Sequence, residues 1–396
     1  MRILFTCVPG FGHFHPMVPL AQALVGAGHE VAFATAPRFC ERVVEPAGFT
    51  AFPAGLSPLV VHEQTLAIPE LADVGESDVW RFGAHMFAGV AAPAKVGELV
   101  GILDQWPAQL VVHDMTDFAG PIAAAHAGIP WAGHSFGAVQ PEEFWDAAGE
   151  IAAPTWEDWG VEPGPRGGMF RSLYLDICPP SFQAPAIRSI AVAHPLRPVA
   201  FDDPGEDGLP AWVEELAPGA TVYVTLGTIN NQASEVFETV LEGLADENCN
   251  VIVTIGPDRH PDELGPRPAN VHVERYLPQS LLFARCDVVV CHGGSGTTLA
   301  ALAQGLPLLV LPQGANQFWN ADRCVELGVG TCIGPAELTP EAVREAVRRL
   351  LADQAYRHQA SRLAEEIAAM PAPADVVGLV EGLVAPPDVP APGSRR

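Results

Sequence analysis

The sequence predicts an α/β protein built from two facing Rossmann-like domains, each with a doubly wound parallel sheet. The chain has 396 residues, more than one ordinary hydrophobic core contains. Strands alternate with helices from the start of the chain, and this alternation begins again after an acidic, turn-rich stretch at 201–210. The expected segments are a first domain at 1–200, a linker at 201–211, a second domain at 212–371, a terminal helix at 372–385 and a disordered tail at 386–396.

Composition and charge limit the kinds of molecule that the chain can bind and the compartment in which we expect it. A formal net charge of −26 disfavours nucleic acid and anionic membranes, which would repel the chain. No apolar run approaches about 20 residues and the chain opens directly on a strand, so we expect a cytoplasmic protein, monomeric or homodimeric, with no membrane segment. The eight cysteines contain no C-x-x-C pair, which is typical of reduced core residues.

The first predicted unit places a histidine at the mouth of a helix. A strand at 3–8 is followed by a turn at 9–16, which contains His13, and by a helix at 17–27. Asp114 ends another predicted strand at the same edge of the sheet, where it could orient His13 as a base for a hydroxyl group. A role for His13 in the core or in helix capping is the plain alternative, and Asp117 is a less favoured partner.

The stretch HGGSGT at 292–297 joins a buried strand to a helix. Such a turn binds anions, because its backbone N–H groups lack intrahelical partners and face the positive end of the helix dipole. The hydroxyls of Ser295 and Thr297 add donors, whereas a turn needed only for packing is the plain alternative. Thr228, after a second strand, could close over the same ligand, and two such loops indicate a diphosphate. A further strand at 308–311 delivers polar residues at 313–317 to the same edge.

Two other chemistries are possible in principle. The histidines His13, His15, His113, His126 and His134 suggest a metal site at first sight, but no HExxH, Cys/His cluster or Asp-x-Asp pair accompanies them, so we expect no bound metal. The segment GHSFG at 133–137 matches the G-x-S-x-G pattern of hydrolases and offers Ser135 as a nucleophile. Against an esterase, Pro141 interrupts the helix that should follow, the HGG element comes after the serine, and the second domain is unexplained.

These segments together resemble a known family. The chain is similar to the two-domain inverting glycosyltransferases of the UDP-glycosyltransferase superfamily, which have the GT-B fold, and most closely to their actinobacterial natural-product branch. The resemblance spans nearly the whole chain and is carried by the N-terminal PGFGHFHPMVPLAQALVGAGHEV, by VVHD and VTLGT, and by RYLPQSLLFARCDVVVCHGGSGTTLAALAQGLPLLVLP. It implies C-terminal helices that cross back onto the first domain.

The resemblance also implies residue roles. His13 would be the general base and Asp114 the residue that orients it. The residues implied in diphosphate binding are Thr228, His292, Gly294, Ser295, Gly296 and Thr297. The implied nucleobase wall consists of Tyr276, Leu277 and Pro278, and the implied sugar-binding residues are Gly314, Asn316 and Gln317.

The implied reaction moves a sugar from a nucleoside diphosphate, with no cofactor, to a hydroxyl of a small hydrophobic natural product as a β-glycoside. The family often has Asp-Gln where this chain has Asn316-Gln317, and plant relatives have a Trp where it has Arg275-Tyr276-Leu277. These departures favour a thymidine diphosphate (TDP) deoxysugar over UDP-glucose as the donor. A sugar-nucleotide epimerase on the same fold and a non-catalytic sugar-nucleotide-binding protein are the alternatives.

Overall fold

The structure, a computed structural model, describes residues 1–71, 79–202, 208–227, 234–256 and 259–384. The first of its two sheets has seven strands in the order β3-β2-β1-β4-β5-β6-β7, and all of its strand pairs are parallel. These strands are β1 (Arg2–Thr6), β2 (Glu30–Thr35), β3 (Thr50–Pro53), β4 (Leu110–Asp114), β5 (Trp131–His134), β6 (Tyr174–Asp176) and β7 (Ala193–Pro195).

The second sheet repeats this design with six parallel strands in the order β10-β9-β8-β11-β12-β13. These strands are β8 (Ala220–Thr225), β9 (Cys249–Thr254), β10 (Val271–Glu274), β11 (Val288–Cys291), β12 (Leu308–Val310) and β13 (Gly330–Cys332). The predicted pair of parallel α/β sheets is therefore confirmed.

Helices cover both faces of each sheet. They are α1 (Phe11–Phe14), α2 (Val18–Gly26), α3 (Pro37–Phe39), α4 (Pro58–Leu66), α5 (Val79–Ala84), α6 (Ala92–Gln105), α7 (Ala119–Ala127), α8 (Glu142–Asp158), α9 (Ser234–Leu244), α10 (Gln279–Leu282), α11 (Ser295–Ala303), α12 (Gln317–Glu326), α13 (Pro340–Ala352), α14 (Gln354–Ala369) and α15 (Val377–Gly382). The predicted tail at 386–396 and much of the linker lie outside the described residues.

Each sheet has a hydrophobic layer on both faces, because strand residues alternate between them. In β1, Leu4 joins the core under α6, α7 and α8, whereas Ile3 and Phe5 join the core under α2. The second sheet is likewise packed between two hydrophobic clusters. With both faces covered, only the ends of the strands are left to bind ligands.

Two sequence predictions differ from the structure near the site. Helical structure begins at Phe11 in α1, before the predicted start at 17, so His13 lies inside a helical turn and not in a loop. The Pro-, Trp- and Gly-rich sequence at 138–198 predicts irregular structure. That prediction is wrong at α8, where Phe144, Ala148 and Ala152 recur at the i, i+4 spacing of a buried helix face. Pro154 inside α8 hid this pattern.

The chain returns to the first domain at its C-terminal end, as the resemblance implies. The Arg197 backbone N–H donates to the Pro371 carbonyl at 2.8 Å, and His29 Nε2 lies 2.9 Å from a Glu381 carboxylate oxygen. Val376 and Val380 are buried in the core layer beneath α2. The terminal helix therefore fastens the second domain to the first.

One helical run is long and apolar enough, by length and composition alone, to cross a membrane. It covers 80–105 and includes α6. Its buried residues, among them Val96 and Leu99, belong to the core of the first domain. The run also contains Lys95, which forms a buried ion pair.

Candidate active site

Each sheet has a topological switch point. There, the chain leaves two neighbouring strands towards opposite edges of the sheet. The pairs are β1 with β4 and β8 with β11. Ligands of open α/β sheets bind outside the carboxyl ends of the strands at this point. His13 follows β1 and Asp114 ends β4, whereas His292 follows β11. The predicted residues therefore gather at the two switch points.

His13 and Asp114 form a close pair. His13 Nδ1 lies 3.3 Å from Asp114 Oδ2, and the carboxylate is buried while one fifth of the imidazole is exposed. Asp114 also accepts hydrogen bonds from the Val8 N–H at 2.8 Å and from the N–H and hydroxyl of Thr116 at 2.7 and 2.8 Å. Burial raises the pKa of Asp114, but His13 and these donors outweigh it and hold the pKa at about 2. The side chain is thus a carboxylate at neutral pH.

Asp117, the less favoured partner, has a different role. Its Oδ2 accepts hydrogen bonds from Thr6 Oγ1 and from Lys95 Nζ, both at 2.6 Å. Lys95 Nζ also donates to the Cys7 carbonyl at 2.9 Å. This buried cluster ties β1 to β4 directly beneath the His13–Asp114 pair, so Asp117 stabilises the fold there.

His292 is packed between two glycines. A Cβ atom on Gly227, which has a φ of +73°, would lie 2.5 Å from His292 Cε1, and one on Gly294 would also overlap the ring. Burial lowers the pKa of His292 to about 4, and its Nδ1 is buried with no hydrogen-bond partner in the described part of the chain. The imidazole is therefore neutral at pH 7. Any hydrogen bond that it donates comes from an uncharged N–H group.

Ser295, the first residue of α11, is held by two amides. Its Oγ accepts hydrogen bonds from Asn316 Nδ2 at 3.0 Å and from Asn320 Nδ2 at 3.2 Å, and Asn320 also donates to the Gly293 carbonyl at 2.7 Å. The side chain of Ser295 is buried, whereas Gly296 is exposed and a Cβ there would meet nothing within 4 Å. The open part of this helix N-terminus is thus at Gly296 and Thr297.

The predicted sugar-binding residues form a turn before α12. Gln317 Oε1 accepts from the Gln313 and Gly314 N–H groups at 2.7 and 3.2 Å, so only its amide NH₂ is left for a ligand. Ala315 has a positive φ of 51°, which holds the turn in a conformation that L-residues seldom adopt. Gly314 has open space where a side chain would stand.

The predicted nucleobase wall is only partly open. Tyr276 is half exposed, but Leu277 is buried in the core beneath α10, and Pro278 is also buried. Among these three residues, Tyr276 therefore presents the largest side-chain surface to a ligand. Thr228 lies outside the described residues.

The two switch points meet through the segment Phe136–Gly137. The Phe136 ring contacts the His13 ring edge-on, with centroids 4.6 Å apart. A Cβ on Gly137 would lie 2.7 Å from Ser295 Cβ, so the first domain touches the start of α11 here. The His13–Asp114 pair and the helix N-terminus consequently face one cleft between the domains.

Ser135 is not placed as a nucleophile. It is fully buried, its Oγ accepts a hydrogen bond from the Ile177 N–H at 2.8 Å, and it donates to Asp176 at 3.3 Å. The hydroxyl is therefore fully used inside the first domain, which argues against the esterase alternative.

Two residues at this site, Thr116 and Asn320, were not singled out from the sequence, and Gly137 was noted only as part of the G-x-S-x-G pattern. Thr116 follows Asp114 by two positions, the spacing at which an Asp side chain bonds its own backbone, and that spacing is a usable signal. Asn320 lies one helical turn after Asn316, which places both on one face of α12. Gly137 contacts Ser295 only through the tertiary fold, and no local pattern predicts that contact.

Two parallel sheets whose switch points face one cleft, with a histidine–carboxylate pair on one side and an open helix N-terminus on the other, are the arrangement of a glycosyltransferase with the GT-B fold. The chain belongs to the family described as Erythromycin biosynthesis protein CIII-like. The model of the N-terminal domain of that family matches residues 22–227, and the model of its C-terminal domain matches residues 238–383.

Similar proteins agree with this assignment. L-demethylnoviosyl transferase of Streptomyces niveus is 33% identical over 97% of this chain and 98% of its own length. The structure of spinosyn rhamnosyltransferase SpnG matches with a TM-score of 0.83 at 26% identity, over 96% of this chain and 100% of that one, and SpnG has also been solved with thymidine diphosphate and with spinosyn aglycone. Glycosyltransferase VinC, solved in complex with DTDP, matches with a TM-score of 0.81 at 27% identity, over 97% and 99% of the two chains. The chain is thus a glycosyltransferase of the actinobacterial natural-product branch.

Proposed function

We propose that this enzyme transfers a deoxysugar from a TDP-sugar to a hydroxyl group of a small hydrophobic natural product, with inversion and without a metal. The proposal also assigns His13 as the general base and Asp114 as its orienting residue. It takes the domains to be 1–200 and 212–371, and the enzyme to be cytoplasmic and monomeric or homodimeric.

The observation that carries the proposal is the His13–Asp114 pair in the cleft. Asp114 Oδ2 and Thr116 Oγ1 each lie 3.3 Å from His13 Nδ1, and the carboxylate favours the tautomer with the proton on that nitrogen, which leaves Nε2 to accept one. As the acceptor hydroxyl attacks, His13 takes its proton, and the adjacent carboxylate stabilises the imidazolium that forms.

The leaving group requires a site for negative charge in a strongly acidic protein. The first turn of α11 supplies unpaired N–H groups and the positive end of a helix dipole, and it is open at Gly296 and Thr297. Because His292 is neutral at pH 7, we assign it a hydrogen bond to the diphosphate and not an ion pair. These groups are held in place before the reaction, so they stabilise charge as it develops on the departing diphosphate.

We infer inversion from the placement of these groups. The base belongs to the first domain and the anion site to the second, so the acceptor and the diphosphate lie on opposite sides of the sugar. Attack opposite the leaving group, through an oxocarbenium-like state, converts an α-linked donor into a β-glycoside.

The donor proposal rests on one side chain and on the relatives. Asn316 already donates to Ser295, so a sugar can use only its amide oxygen as an acceptor, where the Asp common in the superfamily would offer two oxygens. Fewer hydrogen-bond acceptors suit a sugar with fewer hydroxyls. SpnG and VinC have been solved with thymidine diphosphate, which supports TDP over UDP.

A metal is not needed for this mechanism, since α11 and His292 bind the diphosphate. Within the described ranges, no group of three or more His, Cys, Asp or Glu side chains is placed to hold a metal ion. We expect turnover to be unchanged after EDTA treatment. A loss of activity with EDTA that added Mg²⁺ restores would contradict this part of the proposal.

The central experiment replaces His13 by Ala and measures TDP release from TDP-rhamnose with a panel of phenolic and macrolactone acceptors. Loss of a general base should lower kcat about 10²- to 10⁴-fold, with the affinity for TDP unchanged because the anion site lies in the second domain. His358→Ala, at an exposed position on α14, is the matched control and should behave as the wild type. If His13→Ala turns over as fast as the wild type, His13 is not the base.

The esterase alternative has its own test. Because the Ser135 hydroxyl is buried and bonded to Asp176 and Ile177, p-nitrophenyl acetate should be hydrolysed no faster than in buffer. Hydrolysis that is lost in Ser135→Ala would support an esterase.

A further inference from the structure

The segment Ser135–Val139 crosses from the first sheet to the domain interface. Phe136 contacts His13, with ring centroids 4.6 Å apart and the planes inclined by 67°. The next residue, Gly137, lies directly against Ser295 at the start of α11. Two consecutive residues thus touch the proposed base and the start of the anion-binding helix.

Both ends of this segment are anchored by one buried polar cluster. At its start, Ser135 Oγ donates to Asp176 and accepts from the Ile177 N–H. At its end, the Val139 N–H donates to Gln183 Oε1 at 2.9 Å, and Gln183 Nε2 donates to both Asp176 oxygens at 2.9 and 2.8 Å. The segment therefore cannot move without breaking buried hydrogen bonds, which are costly to lose.

The opposing surface is equally constrained. Ser295 Oγ accepts hydrogen bonds from Asn316 and Asn320, so its side chain cannot rotate away freely. On the same side of the interface, Arg323 of α12 donates to the Ser181 and Phe182 carbonyls at 2.5 and 3.3 Å. These contacts hold the second domain next to the Gln183 end of the cluster.

We propose that Ser135–Val139 is a rigid spacer that sets the distance between the His13 base and the diphosphate site, and that Gly137 is the positioning residue at its contact with Ser295. This inference rests on the proposed role of His13. It also explains the G-x-S-x-G pattern, because the serine anchors the spacer and the last glycine permits close approach of the domains.

The consequence of a side chain at position 137 follows from the geometry. Gly137 has no positive φ, so alanine suits its backbone and any effect comes from the contact alone. A Cβ would stand 2.7 Å from Ser295 Cβ, whereas ordinary contact begins at 3.4 Å. The two domains must therefore separate there by at least about 0.7 Å. Misplacement of a base on this scale lowers turnover by about 10- to 100-fold.

The test compares Gly137→Ala with Gly101→Ala, a control in α6 where an added Cβ meets nothing within 4 Å. Turnover is measured as TDP release from TDP-rhamnose. One measurement includes the acceptor panel, and the other omits the acceptor so that only water reacts with the donor. For Gly137→Ala we expect kcat to fall about 10- to 100-fold, TDP affinity within about twofold of the wild type, and a similar melting temperature. A merely structural role would lower the melting temperature instead of separating kcat from TDP binding.

Two further measurements decide the cause. In a Ser295→Gly background, which removes the contacting atoms, adding Gly137→Ala should cost no more than about twofold in kcat. In crystal structures with bound TDP, the distance between His13 and Ser295 should be larger in Gly137→Ala than in the wild type. An unchanged separation, or an equal loss of kcat in the Ser295→Gly background, would overturn the spacer.

The outcome is separable from the proposed function. If His13 is the base, Gly137→Ala should have little further effect in a His13→Ala background. If His13→Ala is fully active while Gly137→Ala still widens the cleft and lowers kcat, the base assignment fails, and with it the part of the inference in which the spacer positions His13.

Discussion

Replacing Asp114 by Asn tests the role of the His13–Asp114 pair while keeping its shape. The carboxylate accepts three hydrogen bonds, two from Thr116 and one from the Val8 N–H, and its Oδ2 also lies 3.3 Å from His13 Nδ1. In the Asp114→Asn variant one oxygen becomes an NH₂ group, which must face two of these donors. The arrangement that keeps both Thr116 bonds turns the NH₂ group towards Val8 and His13.

That arrangement changes the state of the base. The NH₂ group offers Nδ1–H no acceptor and leaves it only the Thr116 hydroxyl, 3.3 Å away. The imidazole therefore shifts towards the tautomer whose Nε2 carries the proton, and this nitrogen cannot accept one from a hydroxyl. The electrostatic loss is also large, because lowering the Asp114 pKa from 3.8 to about 2 corresponds to about 2 kcal/mol in favour of the carboxylate. We expect kcat to fall about 10²- to 10⁴-fold.

The assay is TDP release from TDP-rhamnose with the acceptor panel, beside calorimetric measurement of TDP affinity. TDP affinity should be unchanged, because the anion site lies in the second domain. Asp104→Asn, at an exposed position of α6, is the matched control and should match the wild type. A kcat within about threefold of the wild type for folded Asp114→Asn would refute the reasoning.

Three other substitutions test neighbouring parts of the structure. Asn316→Asp offers a second acceptor oxygen to the sugar, so the preference in kcat/KM for TDP-glucose over TDP-rhamnose should rise about tenfold; an unchanged ratio would remove Asn316 from sugar recognition. Burial raises the pKa of Asp176 to about 6, so the stability it contributes is complete below about pH 4 and is lost as pH rises through 6, by about 3 kcal/mol. The melting temperature of Asp176→Asn relative to the wild type should therefore rise between pH 4 and 7, and a flat difference would contradict this. Lys95→Met leaves the Asp117 carboxylate buried without its cation and should lower the free energy of unfolding by about 3–5 kcal/mol. The melting temperature should therefore drop strongly, and Asp117→Asn in the same chain should partly restore it. No drop would mean that the ion pair adds no stability.

The parallel sheets were predictable because their signals are local. Strands buried on both faces, such as β1 and β11, are continuous apolar runs, and the glycine turns after them mark the helix starts. Prediction failed at α8, where an internal proline and two tryptophans masked the helical spacing. The domain boundaries at 200 and 212 remain predictions, because residues 203–207 lie outside the described part of the chain.

The site likewise contains residues whose positions the sequence predicted and residues whose contacts it did not. His13, Asp114 and the start of α11 were predictable, since each sits where a strand ends and the carboxyl ends of parallel strands share an edge. The occupied oxygen of Gln317 and the buried state of Ser295 were not, because both depend on partners in other turns. Their predicted contacts with the sugar and the diphosphate remain predictions.

By itself, the sequence determined that this chain has two parallel α/β domains, a candidate anion-binding turn and a candidate base, because these properties depend on residue types at short spacing. Only the tertiary structure decided which groups share the cleft. The contacts of Phe136 with His13 and of Gly137 with Ser295 join residues far apart in the chain. A glycine that permits close approach of two domains has no local signature, since its effect depends on the atoms that the fold brings opposite its missing side chain.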